Sequence, residues 1–331
     1  MNGYLGSVNA QRGVALVMVL LALALGASLA AGMLARQSLQ IYKSSQYLNQ
    51  RQAQAFALGA ESFARQILYR DWEDDKKNNA FVDDAGEVWS QYSAAFPVQF
   101  GAIELQIDDL QARLNLNDLV GQDGKVVPRV RSQLERLLQR LEITSIQVDR
   151  IVDWIDPDEE TGGAYGAEDG IYLSRTPAFR TANRLMGSIS ELRLIEGVTD
   201  EDYRRLLPYV TVLPVRGAGL NINQIDVELI RSLDERITQA QADAILSYRT
   251  DTPFANVQDF IARPEFTGME MKADGLTVQT FFFEVKAQVV FDNQPYALVS
   301  VLYRDAEGRF ALVSRDESQT RLITKERVVA Q

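Results

Sequence analysis

The chain has 331 residues, 46% of them hydrophobic, and its 45 acidic against 34 basic side chains give a net charge of −11. It contains neither cysteine nor histidine, which excludes disulfides, thiolate nucleophiles, zinc sites and histidine-based catalysis. A metal site would have to use oxygen ligands, which suit calcium or magnesium, and the acidic balance argues against a general nucleic-acid binder.

An apolar segment near the N-terminus is the first element that the sequence predicts. Residues 13–35 contain no charged side chain and lie between Arg12 and Arg36. As a helix this stretch is about 34 Å long at ~1.5 Å per residue, which is enough to cross the hydrocarbon core of a bilayer. It predicts a transmembrane helix over residues 14–36. A buried core helix is the alternative, although such helices are rarely apolar on every side.

The residues around the start of this segment resemble a known targeting signal. A short polar leader ends in Arg12 and Gly13 and is followed directly by the apolar helix, which resembles the type IV prepilin signal. The resemblance implies that prepilin peptidase removes residues 1–13 and leaves Val14 as the new N-terminus, so that the helix stays as a single-pass anchor in the inner membrane with the body in the periplasm. Most members of that class have glutamate as the fifth mature residue, whereas this chain has Met18. That departure resembles the minor pseudopilin K of type II secretion, which is placed at the filament tip.

The helix is predicted to continue beyond the membrane over residues 37–70, where the chain has no proline. A stripe at helical spacing predicts the face that packs on the body of the protein: Phe56, Ala60, Phe63 and Ile67. Polar residues are predicted to lie on the opposite face: Gln52, Gln54, Glu61 and Arg65. Residues 71–86 are charged and rich in Asn and Asp, which predicts a loop.

Strands are predicted on both sides of a helical region. Alternating apolar and polar side chains predict one strand over residues 98–107. Segments rich in β-branched and aromatic residues, joined by short turns, predict an antiparallel meander over residues 278–291, 296–303 and 309–314. The predicted fold is therefore α+β. It resembles the type IV pilin-like fold of pseudopilin K, with a long N-terminal helix, a small antiparallel sheet (residues 71–110 and 273–331) and a large inserted α-helical domain (residues 111–272).

The helical region contains a weak internal repeat. The sequence Leu-Asn-Leu-Asn-Asp-Leu at residues 114–119 matches Leu-Asn-Ile-Asn-Gln-Ile at residues 220–225, and each copy precedes a predicted pair of helices. Asn side chains in such segments tie turns by bonding to the backbone, so that two related helical subdomains are implied. Residues 190–198 also resemble a helix-hairpin-helix module of DNA-binding proteins, but acidic residues surround this turn and disfavour phosphate binding.

The densest cluster of charged side chains lies in residues 153–170. A predicted helix ends there at Pro157, a Gly-rich loop follows, and carboxylates stand on both sides of the loop. Calcium takes about 6–8 oxygen ligands in flexible geometry, often from several carboxylates. The spacing is not that of an EF-hand, and a solvated acidic loop is the alternative. A pair of carboxylates such as Asp156 and Glu168 could in principle act as the two acids of a glycosidase. No aromatic-rich cleft is apparent in the sequence, and we expect no enzymatic activity.

The resemblance to pseudopilin K extends to this acidic loop, because members of that family have a similar loop and bind calcium in the α-domain. Asp153 is predicted to face the helix and is the weaker candidate. Arg180 and Asn183 match the stretch after the loop and are expected to tie it to the helical core. The resemblance implies a structural calcium ion with four side-chain ligands: Asp156, Asp158, Glu168 and Asp169.

The resemblance covers nearly the whole chain and implies a minor pseudopilin at the tip of a periplasmic filament, which takes part in the initiation and control of pseudopilus assembly and in protein export across the outer membrane. It implies minor pseudopilins I and J, the other pseudopilins and prepilin peptidase as partners, with the secretin and exported proteins as further candidates and no nucleic acid. A minor pilin of a type IV pilus or DNA-uptake filament is the alternative. A single-span membrane protein unrelated to filaments is the third hypothesis.

Overall fold

The computed structural model describes residues 10–91, 93–318, 323–325 and 327–329; residues 1–9 of the predicted leader lie outside this range. Within the described part the helices are α1 (Ala10–Asn78), α2 (Val88–Gln91), α3 (Pro128–Arg140), α4 (Val148–Ile155), α5 (Asp169–Tyr172), α6 (Asp200–Leu206), α7 (Val227–Leu233), α8 (Gln239–Asp251) and α9 (Val257–Ile261). The strands are β1 (Ser93–Val98), β2 (Gly101–Asp109), β3 (Leu114–Asn115), β4 (Val210–Thr211), β5 (Leu220–Asn221), β6 (Leu276–Thr277), β7 (Phe282–Phe291), β8 (Gln294–Arg304), β9 (Phe310–Asp316) and β10 (Arg327–Val329).

The first helix, α1, runs without interruption for 69 residues. Its apolar part reaches a mean hydropathy of 2.6 and is not covered by any other part of the described chain, which fits a single membrane anchor. The predicted loop after Arg70 is wrong in its first residues, because α1 continues to Asn78. Trp72 explains this continuation, since its ring is buried and packs closely on Gly308.

The buried centre of the α1 face that packs on the sheet shares only Ala60 with the predicted stripe. Phe56 and Ile67 lie only at the margin of this interface, and Phe63 is 39% exposed. Alanine has so little side chain that the helix can approach the sheet closely, and the larger rings are displaced to the side. The residues of α1 that are buried against the sheet are Ala53, Ala57, Ala60, Ala64 and Leu68.

A buried carboxylate also crosses this interface. Glu61 is 2% exposed, and its Oε2 accepts hydrogen bonds from Ser300 Oγ and Arg315 Nε, both at 2.7 Å. Its Oε1 accepts from Arg315 Nη2 at 2.9 Å and from Arg65 Nη2 at 2.6 Å. Burial by itself would raise the pKa of Glu61, but these hydrogen bonds lower it to about 2. The prediction that Glu61 faces away from the body is therefore wrong, because the sheet supplies the partners that a buried charge needs.

Six strands form the main sheet in the order β10-β1-β2-β7-β8-β9. β1 pairs with β10 in parallel, and the other neighbouring pairs are antiparallel, so that the meander of β7, β8 and β9 agrees with the prediction. The strand predicted over residues 98–107 is confirmed as β2, whereas β1, which forms a hairpin with it, was not predicted. The chain turns at Phe100, which has a φ of 68°, and at Gly101 a Cβ atom would lie only 1.9 Å from the carbonyl oxygen of Val290.

The helical part of the chain is inserted between β2 and β7, which are neighbours in the sheet. The two copies of the internal repeat occupy equivalent places in it: β3 pairs in parallel with β4, and β5 with β6. The carboxamide of Asn117 bonds to both the backbone N–H and the carbonyl of Met186, at 2.8 and 3.0 Å. Asn223 makes the same two contacts with Phe254, both at 2.9 Å. Each Asn side chain therefore makes the two hydrogen bonds that a neighbouring strand would otherwise make to this backbone segment, as expected for Asn residues in such positions.

Candidate metal centre

The acidic loop begins where α4 ends. Asp156 is the residue after α4, and its backbone N–H donates to the carbonyl of Val152 at 2.9 Å. Pro157 follows and ends the helix, because proline has no N–H to donate and restricts the residue before it. The chain becomes helical again only at α5, which Glu168 precedes. Asp156 and Glu168 thus stand at the two ends of one loop.

Two other carboxylates fold this loop back on α4. Asp153 is buried, and its oxygens accept hydrogen bonds from the N–H groups of Gly162 at 3.0 Å and Ala167 at 2.7 Å. Asp149 accepts from the N–H of Tyr165 at 3.2 Å. Both oxygens of Asp153 are therefore engaged by backbone amides, which gives this residue the role of holding the loop.

Four buried oxygen atoms at this loop have no hydrogen-bond partner in the described chain: Asp149 Oδ1, Asp156 Oδ1, Glu168 Oε1 and Asn183 Oδ1. Of these, Asp149 Oδ1 has a counter-charge, because it forms an ion pair with Arg131 at 2.6 Å. Burial, together with neighbouring carboxylates that include Glu168, raises the pKa of Asp156 to about 7. Burial also raises the pKa of Glu168 to about 7, although a hydrogen bond from Thr181 opposes it. Buried carboxylates without a counter-charge are costly, so a cation at this loop would stabilise them.

The other two predicted ligands already have protein partners. Asp158 is exposed, and its Oδ1 accepts a hydrogen bond from the N–H of Glu160 at 2.9 Å. Its backbone carbonyl accepts another from Asn183 Nδ2, also at 2.9 Å. Asp169 accepts from the N–H of Thr181 at 3.0 Å and forms an ion pair with Arg180 at 2.6 Å. Arg180 and Asn183 therefore tie the loop to the segment that follows it, whereas the expected tie was to the helical core.

The oxygen atoms present suit a hard cation, although the four predicted carboxylates do not form a closed cluster. Within the described residues, no three of them have ligand atoms within 4.8 Å of one another. Carboxylate and amide oxygens are nevertheless the ligands that calcium prefers, and the partnerless oxygens of Asp156, Glu168 and Asn183 are of this kind. Sequence reasoning gave Asn183 only a tying role and missed its free oxygen.

A second acidic group, at the end of α1, escaped the sequence analysis. Asp71, Asp83 and Glu87 have ligand atoms within 4.8 Å of one another, the one such group of three that the described residues contain. Arg304 is buried beside it, with Nη2 2.6 Å from Asp83 and Nη1 3.3 Å from Asp71. Burial and the neighbouring carboxylates raise the pKa of Glu87 to about 10, so that the Glu87 side chain holds a proton at neutral pH. Because Arg304 and this proton supply positive charge, we interpret the group as an ion-pair cluster that fastens α1 to β8.

The residues predicted for processing and assembly lie in the uncovered part of α1. The side chains of Val14 and Met18 are 57% and 66% exposed, and a Cβ atom at Gly13 would meet no other group within 4 Å. The apolar stretch offers no carboxylate at position 18. Its apolar side chains suit a helix that faces lipid.

Comparisons with known proteins agree with this architecture. Two models of the family "Type II secretion system (T2SS), protein K" match residues 112–215 and 220–279, and each range begins at or just before one of the two Leu-Asn segments. The chain is 37% identical to type II secretion system protein K of Pseudomonas aeruginosa, over 93% of each chain. It is 34% identical to the protein of the same name from Pectobacterium carotovorum, with 88% of this chain and 92% of the relative covered.

A solved structure also resembles the fold. The chain aligns with a chain of the GspK-GspI-GspJ complex from the enterotoxigenic Escherichia coli Type 2 Secretion System, with a TM-score of 0.74 at 23% identity over 84% of this chain and 100% of that chain. This likeness supports the α+β, pilin-like fold that the sequence predicted. On the sequence identity to its relatives, the chain belongs to the type II secretion system protein K family.

Proposed function

We propose that this chain is a minor pseudopilin at the tip of the type II secretion pseudopilus, where it takes part in the initiation and control of assembly and in protein export across the outer membrane. Membership of the protein K family supports a role in type II secretion. The structural relative was solved in a complex with GspI and GspJ. We therefore propose minor pseudopilins I and J as direct partners, with the other pseudopilins, the secretin and exported proteins as further ones.

The uncharged Met18 is the observation that carries the proposed tip position. In the low-dielectric membrane, the positive amino terminus of one subunit gains most from a carboxylate on its neighbour, because an unpaired charge is expensive there. Pilin-class subunits supply such a glutamate as the fifth mature residue, whereas this chain has only the thioether of Met18. A subunit of this kind cannot neutralise a neighbour's amino terminus, so it suits the end of a filament rather than its shaft.

The inserted helical part supports the same position. It leaves the sheet between β2 and β7 as a side domain with its own large core. A shaft is a helical array in which every subunit repeats the same contacts, so that a bulky side domain at every step would hinder packing. At a tip the domain meets no subunit above it.

The proposal includes cleavage after Gly13 by prepilin peptidase, with the body in the periplasm and the apolar part of α1 in the inner membrane. The single uncovered apolar helix at the N-terminus supports it. Mass spectrometry of the full chain from cells with the peptidase should give Val14 as the first residue. Retention of residues 1–13 in those cells would contradict this part of the proposal.

We also propose that calcium binds at the acidic loop, in a structural and not a catalytic role. Asp156 and Glu168 would hold it through their partnerless oxygens, with Asp158 and Asp169 as further carboxylates and Asn183 as an amide ligand. The bound ion would supply positive charge to carboxylates that repel one another. The loop-holding hydrogen bonds of α4 would keep the ligands in place.

Restoring the carboxylate tests the tip position. Met18→Glu gives the chain the group that shaft subunits use, and we expect filaments of altered length and reduced secretion. Met33→Glu is the matched control, because it also places a carboxylate in the exposed apolar part of α1, but away from the amino terminus. If Met18→Glu leaves filament length and secretion unchanged, the argument from Met18 is wrong.

A further inference from the structure

A cleft at the junction of the insert and the sheet has no part in the function proposed above. It has a volume of about 430 Å³ and lies between residues 214–218 of the insert and strands β7, β8 and β9. Side chains alternate along a strand, so that Phe282 faces this cleft while Phe283 faces α1. The lining includes one charged side chain among apolar groups: Pro214, Val215, Arg216, Phe282, Tyr303 and Val313.

The wall that the insert contributes is held in place by hydrogen bonds. Asn115 Nδ2 donates to the carbonyl of Val215 at 3.0 Å, and the N–H of Gly217 donates to Asp118 Oδ1 at 2.7 Å. Asn115 and Asp118 are themselves linked at 3.0 Å. Because these contacts fix the backbone of the wall, the cleft is preformed, which is the usual state of a binding site.

The rim of this cleft exposes apolar side chains at the edge of the sheet. β9 is the last strand of the sheet and is paired on one side within the described chain. Val313 on β9 is 39% exposed, and Val215, which lines the cleft with it, is 41% exposed. Edge strands are usually protected by charges, proline or bulges. Here the bulge at Val313 shortens the free edge but leaves its apolar residues uncovered.

The single charge in the cleft has an unsatisfied donor. Arg216 Nε is buried and makes no hydrogen bond. Its guanidinium interacts electrostatically with Asp118, but Asp118 Oδ1 already accepts hydrogen bonds from Asn115 and Gly217. A buried donor without an acceptor is unfavourable, and a carboxylate is the acceptor that matches a guanidinium best. Apolar walls with this unsatisfied donor therefore favour an occupant that is apolar and negatively charged.

We propose that this cleft binds a short extended segment of a partner protein in which an apolar side chain is followed by an acidic one. The apolar side chain fills the space between Val215 and Val313, and the carboxylate pairs with Arg216. The backbone of the segment pairs with the free edge of β9, which is the way extended peptides add to exposed sheet edges. The short free edge limits the contact to a few residues.

A labelled peptide tests this proposal on the full chain in detergent. The probe is an eight-residue peptide that alternates valine with threonine and has one central aspartate; the comparison peptide has asparagine at that position. Fluorescence anisotropy should show binding of the aspartate peptide and about tenfold weaker binding of the asparagine peptide, because a charge-assisted hydrogen bond is lost. Arg216→Gln should weaken the aspartate peptide by the same factor, and Val313→Asp should abolish its binding.

Arg204→Gln is the matched control, because Arg204 is an exposed arginine of α6 outside the cleft, and it should leave binding unchanged. Thermal melts of each variant show whether it is folded. The proposal is overturned if the aspartate peptide does not bind at millimolar concentration, or if Arg216→Gln and Arg204→Gln bind it equally. It is also overturned if sedimentation shows dimers of the full chain that Val313→Asp dissociates, since a second copy would then cover this face.

Discussion

Replacing Glu61 should destabilise the protein although this residue looks like a surface position of a long helix. Its four hydrogen bonds lower its pKa from 4.5 to about 2 against the effect of burial. A shift of this size corresponds to about 3 kcal/mol at ~1.4 kcal/mol per unit. Arg315 and Arg65 are 39% and 31% exposed, so that solvent screens part of this energy. We expect Glu61→Gln to lower the free energy of unfolding by about 2 kcal/mol at pH 7.

The pH dependence separates this ion pair from a packing effect. Because the folded pKa of Glu61 is depressed, its contribution is complete above about pH 4.5 and is lost as the pH falls towards 2. Denaturant unfolding followed by tryptophan fluorescence should therefore show a difference between the original chain and Glu61→Gln that is large at pH 7 and shrinks below pH 4. Glu307→Gln is the control, because Glu307 is 66% exposed and its ion pair should contribute less than ~1 kcal/mol. Equal stabilities of the two variants at pH 7 would refute the reasoning.

Three further predictions concern the metal loop, the repeat and the acidic cluster. With calcium at ~100 times its dissociation constant, adding a chelator should lower the melting temperature by about 5–10 °C. Asp156→Asn should remove this response, whereas Glu160→Gln, at an exposed position, should keep it. A melting temperature that the chelator does not change would contradict the calcium site. Asn117→Ala should lower the free energy of unfolding in urea by roughly 2–4 kcal/mol. Asn223→Ala should lower it less, because Asn117 donates a further hydrogen bond, to the carbonyl of Leu213 at 2.8 Å. A larger loss for Asn223→Ala would contradict this prediction. Burial raises the pKa of Glu87 to about 10, so the folded chain keeps a proton that the unfolded chain releases above about pH 4.5, and the free energy of unfolding falls as the pH rises above that value. Glu87→Gln should therefore make the melting temperature depend less on pH between pH 5 and 8. An unchanged slope of melting temperature against pH would contradict this prediction.

The parts of the fold that the sequence predicted are those with strong local patterns. Each can be recognised from a short stretch of sequence: the uncharged segment, the β-rich meander and the two Leu-Asn segments. The Asn residues are especially informative, because a hydrogen bond to both groups of a peptide unit needs a carboxamide side chain at that place, and both copies make it as expected. Local signals of this kind do not depend on knowing the rest of the fold.

The errors have a common physical origin in contacts between distant segments. Glu61 is buried only because Ser300 and Arg315 lie opposite it, and nothing near residue 61 indicates these partners. The phase of α1 was misjudged because large apolar residues dominate a periodicity argument, whereas a helix packs closest through its alanines. At the acidic loop, composition indicates the candidate segment, but only the folded chain shows that Asp156 and Glu168 have buried oxygens without hydrogen bonds while Asp169 is already paired.

This chain is proposed to work at the tip of the pseudopilus together with minor pseudopilins I and J. The most direct measurement is co-expression of the full chain with these two proteins from one organism, purification in mild detergent and native mass spectrometry. The expected result is a complex with one copy of each of the three proteins. Purification of the chain free of both partners, or a filament that contains it at every step, would contradict the proposed tip position.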